Sequence, residues 1–213
     1  MTRIASIQIG KIVSGGDPTT RDVTHRWWSS AFDKRSIAGP VSVGPMGIVG
    51  DEVADKKHHG GVEKAMLCYG LSHYQWWNQK HPELEMGPGG LGENLTIQDQ
   101  DETSVCIGDR YRVGSCEIEV SQPRQPCWKI ARRWGVKSLT KEVGQSGYTG
   151  WYVRVMVAGQ ISTGDELVLQ SRPNPSWSIA RANDILFGRE KDPHAVGQLK
   201  ELPELSHEFK KDV

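Results

Sequence analysis

The chain is poor in cysteine and phenylalanine, and it has no excess of either charge. Its four cysteines, Cys68, Cys106, Cys116 and Cys127, form no CxxC pair. That argues against zinc ribbons, thioredoxin-like chemistry and cysteine-ligated iron–sulfur clusters. Lysine and arginine number 26, as do aspartate and glutamate, so no global field draws nucleic acid or an anionic membrane. No apolar run approaches the roughly 18 residues of a membrane helix, and the opening MTRIASIQIG alternates too regularly for a signal sequence. The expectation is a cytoplasmic protein with neither a nucleic-acid nor a membrane partner. GxGxxG and the P-loop are also missing, which leaves NAD and nucleoside triphosphates unsupported.

What is present is a series of short alternating segments punctuated by 24 glycines. Strands are predicted over 4–9, 41–43, 65–69, 94–97, 111–113, 116–120, 152–157 and 166–169, with helices over 72–79, 128–134 and 138–143. This reads as a mostly β chain with flanking helices (α+β), its sheet curled into a closed or partly closed barrel. After Ser171-Arg-Pro-Asn-Pro-Ser176 glycine becomes scarce, and three short helices are predicted over 178–187, 194–201 and 206–211. A unit of that size buries little surface alone and must pack on the main domain or on a partner. In each of the pairs Trp27-Trp28 and Trp76-Trp77 one ring reads as buried and the other as half exposed.

Cys68, Cys106 and Cys116 lie in apolar alternation and read as inert core residues. Cys127 differs. It sits in Val120-Ser-Gln-Pro-Arg-Gln-Pro-Cys-Trp-Lys129, where Pro123 and Pro126 stiffen the approach. A predicted helix stopped by Gly135 follows at once, and Arg124 and Lys129 are neighbouring cations. A helix start and nearby cations both favour thiolate, the form that a nucleophile or a soft-metal ligand requires.

Two glycine-rich segments complete the set. In Gly50-Asp-Glu-Val-Ala-Asp-Lys-Lys-His58-His59-Gly60-Gly61-Val-Glu-Lys64 the glycines let one imidazole turn inward and expose backbone N–H groups, which with Lys56, Lys57 and Lys64 suits an anion. It lacks the spacing of a helical His-metal motif. In Gly89-Gly-Leu-Gly-Glu93-Asn94 the carboxylate and amide either hold a polar ligand or satisfy backbone groups of a tight turn.

Taken in order, Gly50-Asp51 with His58-His59-Gly60-Gly61, Gly92-Glu93-Asn94-Leu95 and Ser121-Gln-Pro-Arg-x-Pro-Cys127 resemble the MOSC domain of YiiM-type proteins, and the tail from Trp177 is similar to their small three-alpha domain. The resemblance implies a MOSC-type β-barrel over 28–169, with 1–27 packed on it, and a three-helix unit over 176–213. It further implies a molybdenum cofactor whose metal is held by Cys127. Arg124, Lys64 and Lys129 would then grip its phosphate, with His58, Gly60, Gly61 and Asn94 as further cofactor contacts. The implied activity is reduction of small N-hydroxylated compounds to amines, with Cys127, His59 and Glu93 as the candidate catalytic groups. Electrons would come from a separate reductase, and the helical tail is either its docking surface or a structural cap. Two other readings stay open: a molybdopterin or sulfur carrier, and a metal-free thiol nucleophile paired with His58 or His59. Oligomeric state is not legible.

Overall fold

Alternation along the chain becomes one twisted sheet in the computed structural model, which describes all 213 residues. Eight strands lie side by side in the order Val168–Ser171, Arg110–Val113, Cys116–Pro123, Trp151–Val157, Met66–Gly70, Leu95–Gln98, Arg3–Gly10 and Lys34–Ser36. Only the Met66–Gly70 and Leu95–Gln98 pair is parallel. Strand Arg110–Val113 shows the period-two logic plainly, with Tyr111 and Val113 buried and Arg110 and Arg112 exposed. Strand Cys116–Pro123 is instead buried at every position beyond Glu117: helix Ile179–Leu186 packs against it, Arg110 and Arg154 pair with Glu119, and Ser121 Oγ donates to Glu63 O.

The sheet curls toward closure. Ile4 N donates to Asp165 O at 2.9 Å and Leu167 N donates to Thr2 O at 3.0 Å, so the first strand also bonds the segment leading into the last one. The result is the partly closed barrel that the sequence predicts. Five further strands, Val13–Gly15, Trp28–Ser30, Val41–Gly44, Gly47–Ile48 and Gly159–Ile161, form a two-stranded and a three-stranded sheet. All but Val41–Gly44 escape prediction, since two or three residues carry no readable period.

The C-terminal helices share the main core. Trp177, Ile179, Leu199 and Phe209 belong to the same 27-residue cluster as Ile7, Ile118 and Trp151. Helices Ile179–Leu186 and Pro193–Glu201 start where Ser178 and Asp192 accept N–H groups of their first turns. The third predicted helix, 206–211, is corrected to a single 3-10 turn, Phe209–Lys211. Ser206 caps that turn, its Oγ accepting Phe209 N and its carbonyl accepting Lys210 N, each at 3.2 Å, while its own N donates to Ser121 O at 3.0 Å and its Oγ to Gln122 Oε1 at 2.5 Å.

Trp77 is buried beside a half-buried Trp76, but Trp27 is 51% exposed and Trp28 half-buried, so that pair places no ring in the core. No helix is long and apolar enough to cross a membrane.

Candidate functional site

Strand Cys116–Pro123 delivers the chain to the site. At its end Arg124 N donates to Gly150 O at 3.0 Å, and the main chain then leaves the sheet through Pro126. Cys127 stands just before helix Lys129–Trp134, which Gly135 ends in a left-handed conformation. The carbonyl of Cys127 accepts Ile130 N at 3.1 Å and Thr140 Oγ1 at 3.2 Å, so the residue is fixed through its backbone while its thiol stays half-buried. The other three cysteines are fully buried, and burial pushes their thiols up, away from reactivity.

The thiol faces a cleft of about 640 Å³ lined by Arg124, Lys129, Lys64, His59 and Asn94, among others. A second cleft of about 1010 Å³ adjoins it and shares Cys127, His59, Lys64, Lys129 and Tyr152. Its outer side is formed by Gln125, Trp128, Glu208 and Asp212.

Four cations line the inner cleft, and they divide into two kinds. Lys34 pairs with Asp51 and Lys64 with Glu208, whereas Arg124 and Lys129 pair with no carboxylate. Arg124 is 3% exposed; its Nη2 donates to Leu91 O at 3.1 Å, and its Nη1 has no partner at all. A buried guanidinium nitrogen without an acceptor is costly, and a bound anion would satisfy it.

His59 is the imidazole that turns inward. Burial first, then Lys129 and Arg124, lower its pKa to about 4 against the weaker opposing pull of Asp55, so the ring is neutral at pH 7. His58 is exposed, bonded to Asp55 at 3.1 Å, and borders only the outer cleft. Lys56 and Lys57 are exposed and line neither cleft. Gly60 and Gly61 follow with φ of 83° and 86°, a left-handed backbone that favours glycine. Gly60 also lines the inner cleft.

Asn94 borders the cleft but is committed to scaffolding. Its Oδ1 accepts Leu67 N at 3.1 Å, and its Nδ2 donates to Asp51 Oδ2 at 2.8 Å. Glu93 is a correction to the expected acid–base role, because its carboxylate is fully buried and does not line the cleft. It accepts Tyr74 OH at 2.5 Å, Gly89 N at 2.7 Å, Thr96 Oγ1 at 2.9 Å and Leu91 N at 3.2 Å, which makes it the clasp of the glycine turn.

Tyr152 and Lys34 also line the cleft. Burial raises the Tyr152 pKa to about 12, with Arg124 opposing and Cys127 and Glu208 adding. Lys34 lies on a three-residue strand with no motif around it. No group of three or more His, Cys, Asp or Glu side chains converges to hold a metal ion. The donor set at the cleft is therefore one soft sulfur among cations, which suits a metal that arrives with its other ligands and an anionic tail.

The MOSC domain model matches residues 55–168, and the model of the YiiM-like, 3-alpha helix domain matches residues 177–213. The uncharacterised protein YflK of Bacillus subtilis (strain 168) is 35% identical over 195 residues, covering 92% of this chain and 88% of its own length. A protein named reductase from Gibberella moniliformis is 35% identical over 178 residues, which are 82% of this chain but only 32% of that protein. The crystal structure of YiiM from Geobacillus stearothermophilus superposes with a TM-score of 0.81 at 33% identity, over 99% of this chain and 96% of that one.

Proposed function

Since the chain belongs to the MOSC domain family and carries a YiiM-like three-helix domain, we propose that it is a molybdenum-cofactor-dependent oxidoreductase reducing N-hydroxylated compounds to amines. MOSC domains are generally associated with that cofactor, and the reductase name of the fungal relative supports the reaction class. The observation that carries the reading is Cys127, a half-buried thiol opening on a cleft where Arg124 Nη1 is buried without an acceptor.

In this reading Cys127 holds the metal through its thiolate. The guanidinium of Arg124 takes the cofactor's terminal phosphate through its free Nη1, and Lys129 and Lys64 balance the remaining negative charge. When bound, the cofactor supplies the two electrons that N–O cleavage consumes, the hydroxylamine taking two protons to give amine and water. His59, neutral at pH 7, is the group beside Cys127 able to receive and pass on a proton at its imidazole nitrogen. Tyr152 keeps its phenol proton over the whole working range. The small-molecule substrate enters through the outer cleft, and electrons come from a separate reductase.

The test is to purify the protein from a host that makes the cofactor, measure bound molybdenum, and assay N-hydroxy substrate reduction with an artificial donor. Metal and turnover are expected together, and both should vanish in Cys127→Ala. Retention of metal and activity by that variant overturns the assignment of Cys127. Full loading without turnover would instead favour a cofactor carrier.

A further inference from the structure

We infer that Glu208, from the three-helix unit, is a positioning residue of the site: an internal counter-ion that competes with the bound anion for Lys64. The inference rests on reading the cleft as an anion-holding site. Lys64 lines both clefts, and its side chain is only 9% exposed. Its ammonium donates to His58 O at 2.9 Å and pairs with Glu208 at 2.8 Å, so a residue 144 positions further along supplies its only carboxylate. The turn that carries Lys64 is held from the same side: Arg154 Nη2 binds both Glu63 and, at 2.9 Å, Glu204 O.

The contact belongs to a seam, not to a chance surface meeting. Ser206 bonds Ser121 and Gln122, and Asp212 accepts Gln125 Nε2 at 2.8 Å, so the tail grips the segment that leads to Cys127 at three points. Among these only Glu208 meets a cation of the cleft. Arg124 and Lys129 are left unpaired for a ligand, while Lys64 already has an anion in hand. An incoming phosphate therefore has two cations freely available and must share the third with a carboxylate that is 46% exposed and can swing outward. The small domain thus sets how tightly the cleft holds anions.

The experiment titrates inorganic phosphate into the full-length, cofactor-free chain by calorimetry at low ionic strength. Glu208→Gln should bind phosphate about threefold tighter, the scale of a half-exposed ion pair. Glu208→Asp keeps the charge and should bind as the parent does. Asp212→Asn makes the same change of net charge on the rim, next to a glutamine instead of a lysine, and should leave affinity unchanged. In a Lys64→Met background the effect of Glu208→Gln should disappear. The inference is overturned if Glu208→Gln has no effect, if Asp212→Asn matches it, or if the effect survives without Lys64. If the parent protein binds no phosphate, the anion-site reading falls with it. Binding with no response to Glu208→Gln removes only this inference.

Discussion

Lys34 Nζ lies 2.5 and 2.7 Å from the two carboxylate oxygens of Asp51, and the side chains are only 8% and 10% exposed. The same carboxylate accepts Gly10 N at 2.7 Å and Asn94 Nδ2 at 2.8 Å, so one aspartate ties the first strand, a lysine and the mouth of another strand into a wall of the cleft. Burial lowers the Lys34 pKa, and Asp51 opposes that shift.

Asp51→Asn leaves Lys34 buried beside a neutral amide and should cost about 3 kcal/mol of stability, the scale for breaking one partner of a buried pair. Lys34→Met combined with Asp51→Asn should recover a good part of that loss. Urea unfolding of the two variants measures both quantities. Equal stability of Asp51→Asn and the parent would show that the pair is solvated.

The depressed pKa of His59 fixes a pH dependence. In the unfolded chain the ring takes its proton near the ordinary pKa of 6.5, whereas in the folded protein it does so at about 4. Between those values the unfolded state binds more protons, so stability falls as pH drops from 6.5 toward 4, and this contribution stops changing below that. His59→Gln should flatten the stability curve across the same window. Phosphate, by offsetting Lys129 and Arg124, should raise the His59 pKa. Imidazole titration by NMR reads both effects, and a ring titrating near 6.5 without ligand contradicts the buried, cation-flanked placement.

Glu93→Gln sets an N–H donor against one of four donors that now converge on a carboxylate. A loss of about 2 kcal/mol is expected, from a buried polar group left unmatched. Phosphate affinity should not change, because the side chain does not line the cleft. Unaltered stability together with lost turnover would restore the acid–base role that the sequence suggested for it.

The contrast between Cys127 and Glu93 explains what the sequence makes legible. Proline spacing, flanking cations and a helix start all lie within ten residues of Cys127, so local rules are enough to single it out, and the fold sets it on the cleft. Glu93 follows glycines as a ligand-binding carboxylate would, but also as a turn clasp would, and its partners Tyr74 and Thr96 become neighbours only through the fold. Lys34 is the opposite case. Nothing around it signals function, since its partner Asp51 is 17 positions away and the strand that fixes it spans three residues. The barrel and the packing of the tail were readable because alternation and the loss of glycine extend over whole segments. The third helix was not, because helical composition over so short a segment does not tell a single capped 3-10 turn from an α-helix.

Hydrogen bonds between Thr2–Ile4 and Asp165–Leu167 also impose a timetable on the growing polypeptide. Strand Arg3–Gly10 must wait, with this set of partners missing, until the residues around Asp165 have been made. Loop closure over that span is slow compared with local helix formation. Nascent chains stalled before residue 165 should therefore present the Thr2–Ile4 backbone as an open sheet edge, a template for pairing with another chain.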